Sequence, residues 1–275
     1  ISGAEQKIQE LWTLSANLLG FTVASSLIGT VIGSLIAGMP AQKYGRKKVL
    51  SAIAILYLLS AIGCAVTPVW ILFITFRFIG GITVGASSVV GPMYISEISP
   101  AKIRGRLAGS FQVNIVAGIL VAYLVNYLLA GIGEDSWRYM LGVMVVPAAL
   151  FAILLRTIPE SPRWLVLNNR DAEAMEVFKR TGEQDALALI KEEHELSKQG
   201  TKESLFSGKF NKPVLYAVIL AMFNQLSGIN AIIYYAPRIF EMAGYTQANA
   251  FQQSVYIGAA NLFFTLLAMT VIDKF

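Results

Sequence analysis

The chain has 275 residues, of which 55% are hydrophobic and 14% are charged, whereas a soluble domain has roughly 25% charged residues. This composition excludes an ordinary soluble protein and predicts an integral membrane protein. The net charge of +5 is compatible with nucleic-acid binding, but the basic residues cluster in short loops between apolar segments, so we expect no nucleic-acid partner.

Seven apolar segments are long enough for a membrane-spanning helix, which needs roughly 20 residues. They cover residues 14–41, 49–67, 69–95, 106–130, 137–156, 213–237 and 250–272. The pattern predicts an all-α protein embedded in a lipid bilayer. Three tryptophans near the outer ends of these segments are expected to be interfacial anchors: Trp12, Trp70 and Trp137.

Two pairs of glycines lie four residues apart, and each pair therefore shares one face of its helix. They are Gly29 with Gly33 in the first segment and Gly81 with Gly85 in the third. This spacing predicts a close approach of neighbouring helix backbones.

Basic residues fill alternate connections between the segments. They are Lys43, Arg46, Lys47 and Lys48 after the first segment and Lys102, Arg104 and Arg106 after the third. Short basic loops face the cytoplasm, so the first segment runs from the outside to the inside. Because the chain then begins outside without a signal peptide, we expect an earlier span to precede it. Its last residues, VIDKF at 271–275, are interpreted as the start of a second copy of the loop AQKYGRKK at 41–48, which predicts two helical halves.

A charged region separates the fifth and sixth segments. Within it, DAEAMEVFKR and DALALIKEEHEL place apolar residues at helical spacing, which predicts short amphipathic surface helices. We therefore expect a helical half over residues 1–157, a cytoplasmic linker over 158–212 and the start of a second half over 213–275. His194 lies among glutamates in this linker and is interpreted as a solvated helix residue, so no metal site is expected.

Uncharged polar residues interrupt the sixth segment in the stretch QLSGINAIIYYAP at 225–237, where Gly228 and Pro237 can loosen the helix. A buried amide or hydroxyl without a partner costs roughly 2–7 kcal/mol. Each amide side chain offers donors and acceptors together, as a sugar hydroxyl does. Arg77 is the only ionisable residue well inside a segment. The pattern favours a site for a neutral, hydroxyl-rich solute.

Three stretches together resemble the sugar porter family of the major facilitator superfamily: GRKK at 45–48, PESPRWL at 159–165 and QLSGINAIIYYAP. The similarity covers essentially the whole chain. It implies a major facilitator fold, of which the chain holds helices 2 to 8 of a twelve-helix architecture.

The resemblance also implies a set of sugar-binding residues: Gln112, Asn224, Gln225, Asn230, Tyr234 and Asn261. The alternatives are an interhelical hydrogen bond for Gln112 and a packing or gating role for Tyr234. Some pentose-transporting members have a second glutamine where this chain has Ile119. This difference favours a hexose such as glucose.

Two further roles follow from the resemblance. Arg77, about 12 Å deep at 1.5 Å per residue, is a candidate for proton coupling, with a structural role at backbone carbonyls as the alternative. An inner salt-bridge network between the halves is implied for Arg46, Glu97, Arg104, Glu160 and Arg163. The alternative is charge that only sets membrane topology.

We therefore expect a monomeric plasma-membrane carrier that moves a monosaccharide by alternating access, in symport with a proton, without a cofactor, a metal or covalent chemistry. A passive uniporter, a non-transporting sugar sensor on the same fold and a carrier of inositol or another polyol remain alternatives. A membrane-embedded enzyme is disfavoured because the sequence has no HExxH motif and no convincing buried nucleophile and base.

Overall fold

The computed structural model describes residues 3–133, 135–199 and 210–271. These residues form helices α1 (Glu5–Leu11), α2 (Ala16–Ile36), α3 (Gly38–Tyr44), α4 (Arg46–Val66), α5 (Trp70–Ile98), α6 (Arg104–Leu129), α7 (Ser136–Gly142), α8 (Val145–Leu154), α9 (Pro162–Leu167), α10 (Asp171–Thr181), α11 (Ala186–Gln199), α12 (Asn211–Leu226), α13 (Ile229–Met242) and α14 (Gln247–Val271). In the predicted second copy of the basic loop, residues 272–275 lie outside the described ranges.

Seven stretches of the described chain are long and apolar enough to cross a membrane, which confirms the predicted number. They are α2, α4, α5, the segment ending in α6, α7 with α8, α12 with α13, and α14. Both segments predicted as amphipathic linker helices are helical, as α10 and α11. The division of the chain into two halves and a linker stays a prediction.

The first predicted span was too long at its inner end. Helix α2 ends at Ile36, and α3 is a separate short helix. Helix α4 begins directly after Gly45, whose φ of 98° lies in the region that favours glycine. A Cβ at Gly45 would also overlap the Glu160 carboxylate. The chain turns here because glycine permits both the backbone angle and the close approach.

Helices α2 and α5 pack at backbone distance, as the glycine spacing predicted. A Cβ at Gly33 would overlap the carbonyl of Ile82, and a Cβ at Gly85 would overlap the carbonyl of Thr30. Helix α4 packs against α5 and α8, and α14 packs against α6. The pairing of α6 with α14 brings the fourth span into contact with the seventh.

The tryptophans near the outer span ends are packed more deeply than interfacial anchors. Trp137 is buried, and its ring lies 6.1 Å from that of Trp12, which lies 5.2 Å from the ring of Phe73. Trp70 donates from its indole nitrogen to the Thr22 hydroxyl at 3.0 Å. The expectation of simple anchoring was therefore wrong for Trp137, because α1 and the outer helix ends cover it.

Candidate functional site

The sixth span breaks in the middle of its polar stretch. Helix α12 ends at Leu226, and Gly228 adopts a left-handed conformation with φ of 74° before α13 begins. Across this break the amide of Asn230 donates to the amide oxygen of Gln225 at 2.6 Å. Both residues are exposed. The break therefore presents a pair of uncharged polar groups, with unused donors and acceptors, inside a span of membrane length.

The other predicted sugar ligands lie on three helices. Gln112 on α6 and Asn224 on α12 are exposed, whereas Tyr234 on α13 and Asn261 on α14 are half-buried. Within the described ranges, neither the Gln112 side chain nor that of Asn261 forms a hydrogen bond to a neighbouring helix. Among these six predicted ligands, the side-chain hydrogen bonds of the described residues join only Gln225 to Asn230, so the assignment of a common site stays a prediction.

Helix geometry directs Gln112 toward the last two spans. Gln112 precedes Tyr123 by eleven residues, which is close to three helical turns, so the two side chains share one face of α6. The Tyr123 hydroxyl donates to the carbonyl of Ile233 on α13 at 2.6 Å. Asn261 lies one turn along α14 from Gly258, which faces Tyr123. These side chains therefore occupy the faces by which α6, α13 and α14 meet.

Arg77 on α5, the third span, is bonded to α2, the first span. Its Nε donates to the carbonyl of Thr22 on α2 at 3.0 Å. The bond to a backbone carbonyl is the contact expected for a structural role, and the coupling role stays a prediction.

The predicted cytoplasmic network has a buried centre. Arg46 binds Glu97 through two parallel hydrogen bonds, Nε to Oε2 and Nη2 to Oε1, both at 2.8 Å. The two side chains are 7% and 10% exposed. The Ser161 hydroxyl donates to Glu97 at 2.6 Å and accepts from the backbone N–H of Trp164 at the start of α9. Ser161, which the sequence analysis missed, therefore joins α9 to the ion pair.

Glu160 caps a helix, and among the described residues no ion pair joins it to a basic side chain. Its Oε1 accepts from the backbone N–H groups of Lys47 and Ser161, both at 2.9 Å. A carboxylate at the N-terminus of α4 is favourable because the N–H groups of a first helical turn lack partners within the helix.

The remaining two members of the predicted network lie apart from this centre. Arg163 pairs with Glu193 of α11 at 2.9 Å, and both side chains are well exposed. Arg104 is exposed at the start of α6. The described hydrogen bonds and ion pairs of this network join α3, α4, α5 and the predicted linker, so the predicted link between the two halves stays a prediction.

A second polar cluster, at the outer end, was missed. Gln6 of α1 donates to Glu241 of α13 at 2.6 Å, and Arg238 lies 3.9 Å from the carboxylate of Glu5. Glu5 is 3% exposed, and in the described ranges neither of its carboxylate oxygens has a hydrogen bond. Burial raises the pKa of Glu5 to about 7, against the attraction of Arg238. No sequence signal distinguishes Glu5 from other loop carboxylates, since its burial depends on how α1 lies against α13.

Residues 2–275 match the family described as "Sugar (and other) transporter". The chain belongs to this family. The members of this family are transporters. The match confirms the predicted resemblance and the expectation that the chain does not belong to an enzyme.

Named relatives agree with this membership. The chain is 37% identical to the D-xylose-proton symporter of Escherichia coli strain K12, over 97% of this chain and 60% of the relative. It is 37% identical to a glucose transporter of Staphylococcus epidermidis, over 100% of this chain and 62% of the relative. The chain is 34% identical to the galactose-proton symporter of Escherichia coli strain K12, over 100% of this chain and 60% of the relative. The chain thus spans about 60% of the length of these curated relatives.

Solved structures confirm the fold class. The chain is similar to the partially occluded inward-open xylose transporter XylE from Escherichia coli, with a TM-score of 0.85 and 34% identity over 100% of this chain and 68% of that one. It is also similar to the major facilitator proton:xylose symporter XylE bound to 6-bromo-6-deoxy-D-glucose. The TM-score is 0.86 and the identity is 34%, over 100% of this chain and 65% of that one. The described helices therefore form part of a major facilitator fold.

Proposed function

We propose that the protein containing this chain carries a neutral monosaccharide, a hexose such as glucose, across the plasma membrane by alternating access in symport with a proton. The observation that carries this proposal is the amide pair Gln225 and Asn230 at the Gly228 break. Two exposed amides inside a membrane-length span offer hydrogen bonds to hydroxyl groups without a net charge that must be desolvated. The relatives named for xylose, glucose and galactose support a monosaccharide.

In the proposed mechanism, one half supplies Gln112 and the other supplies the remaining contacts. Those contacts are Asn224, Gln225, Asn230, Tyr234 and Asn261. The sugar exchanges bonds to water for bonds to these side chains and is released when the two halves, residues 1–157 and 213–275, rock about the site. One chain supplies the whole site, so the carrier works as a monomer with no cofactor.

Passive uniport is the second candidate. Arg77 already has a backbone acceptor in Thr22, so the described contacts of its charge require no proton exchange. The two candidates differ in their response to a proton gradient.

The complete protein in proteoliposomes tests both. We expect counterflow of labelled glucose, competition by unlabelled glucose that exceeds competition by xylose or myo-inositol, and faster accumulation when the outside is more acidic. Glucose counterflow without any response to the gradient would select uniport. Sugar binding without counterflow would select a sensor, and the absence of sugar binding would overturn the proposal.

A further inference from the structure

Tyr123 is held by both of the last two spans. The side chain on α6 is 2% exposed, and its hydroxyl donates to the Ile233 carbonyl on α13 at 2.6 Å. On α14, a Cβ at Gly258 would lie 3.0 Å from the Tyr123 ring. One side chain of the predicted first half thus contacts two helices of the predicted second half.

A proline leaves the Ile233 carbonyl without its usual donor in the helix. In an α-helix the carbonyl of residue 233 accepts from the N–H of residue 237. Residue 237 is Pro237, which lies inside α13 and has no N–H. The proline ring also crowds the carbonyl four residues earlier and turns it away from the helix axis. Tyr123 supplies the donor that α13 itself lacks.

This contact lies on the outer side of the predicted sugar site. Gln112 is three turns farther inward on α6, about 16 Å along the helix axis. Asn230 lies inward of Ile233 on α13, and Asn261 lies inward of Gly258 on α14. The Tyr123 contact therefore covers the site from the side that the charge pattern assigns to the exterior.

We propose that Tyr123 is a positioning residue of an outer gate: its bond to the Ile233 carbonyl freed by Pro237 holds α13 against α6 and stabilises conformations closed on the outside. The proposal rests on the proposed carrier function. When α13 swings outward, water can replace the hydroxyl at the same carbonyl, so the bond breaks without leaving an unsatisfied buried group. A helical N–H at position 237 would remove the need for Tyr123.

The test uses the complete carrier with a Cys64→Ala background and spin labels at Ile132→Cys and Met242→Cys. Both labelled positions are exposed and lie near the outer ends of α6 and α13. Tyr123→Phe removes only the hydroxyl, and we expect the ratio of outer-open to outer-closed distances to rise about five-fold, the usual effect of one lost hydrogen bond. Tyr127→Phe, an exposed position one turn farther out on α6, is the control and should leave the ratio unchanged.

Pro237→Ala gives the decisive comparison, because it restores an N–H to the Ile233 carbonyl. We expect Tyr123→Phe to change the distance ratio by less than two-fold in this background. An equal effect in both backgrounds, or no effect in either, would overturn the gate. If Pro237→Ala does not fold, Pro237→Ser supplies the same N–H. The spin-label distances are measured without transport, so they test the gate independently of the carrier function. Normal glucose counterflow with unchanged distances would overturn only the gate. Loss of counterflow with the expected distance changes would overturn only the carrier function.

Discussion

Asn230 donates to Gln225 across the break at Gly228, with 2.6 Å between the amide nitrogen and the amide oxygen. The bond fixes the orientation of both amides, because a donor on one side chain must face the acceptor on the other. Both side chains are exposed, so their remaining donors and acceptors are accessible. The pair is thus preorganised to bind a hydroxyl group at a small cost in side-chain entropy.

The amide pair provides the first prediction. Gln225→Ala and Asn230→Ala in the complete carrier should each weaken sugar binding at least ten-fold, and the double variant should lose little more, because the two amides act together. Binding is measured by calorimetry in detergent. Asn114→Ala is the matched control, since the Asn114 amide donates to the Ser110 carbonyl of its own helix. Unchanged binding in the Asn230 variant would contradict the site.

The buried ion pair of Arg46 and Glu97 provides the second prediction. Glu97→Gln leaves the Arg46 charge, which is 7% exposed, without a carboxylate, and the free energy of unfolding should fall by about 3–5 kcal/mol. Glu193→Gln breaks the exposed pair with Arg163 and should cost less than about 1 kcal/mol. Denaturant unfolding in detergent distinguishes the two. Similar losses for both variants would contradict the importance of burial.

The buried carboxyl of Glu5 provides the third prediction, which is a pH dependence. The pKa of Glu5 is raised by burial from its ordinary 4.5 to about 7, so the folded state binds more protons than the unfolded state between these values. Docking of α1 should therefore be strongest below about pH 4.5, weaken as the pH rises to 7, and stay weak above it. Hydrogen exchange of α1 amides measures the docking. Glu5→Gln should remove the dependence and protect α1 at pH 8, whereas Glu10→Gln, at an exposed site, should not.

The glycines of α2 provide the fourth prediction. Gly33→Ala places a methyl group on the Ile82 carbonyl of α5 and should destabilise the carrier by about 1–3 kcal/mol or more, because neither backbone can yield easily. Gly20→Ala, on the same helix, meets nothing within 4 Å and should be neutral or stabilise by up to about 1 kcal/mol. Melting temperatures in detergent compare the two. A Gly20 variant destabilised as much as the Gly33 variant would contradict the importance of the close approach between α2 and α5.

Several features were predictable because local chemistry controls them. Membrane-length apolar runs can only be helices in lipid, and small residues four apart create a flat helix face, so the spans and a close backbone approach at Gly33 followed from spacing alone, whereas its partner α5 did not. The end of α2 at Ile36 did not, because an apolar run does not reveal where a short connecting helix such as α3 replaces the span.

Other features depend on contacts between segments that are distant in the chain. Glu97 and Glu160 were both predicted as members of the inner salt-bridge network. Glu97 forms a buried ion pair with Arg46, whereas Glu160 caps α4. Their sequence neighbourhoods do not distinguish these roles, since each depends on which helix end lies within hydrogen-bonding distance.

Composition and residue spacing were enough to establish the class of protein, the number of spans and the uncharged polar chemistry of the sixth span, because apolar length and side-chain type are properties of single segments. By contrast, the bond from the Tyr123 hydroxyl to the carbonyl freed by Pro237 and the burial of Glu5 beside Arg238 are visible only once the helices are packed. These contacts join residues more than a hundred positions apart, and helix packing alone brings them together.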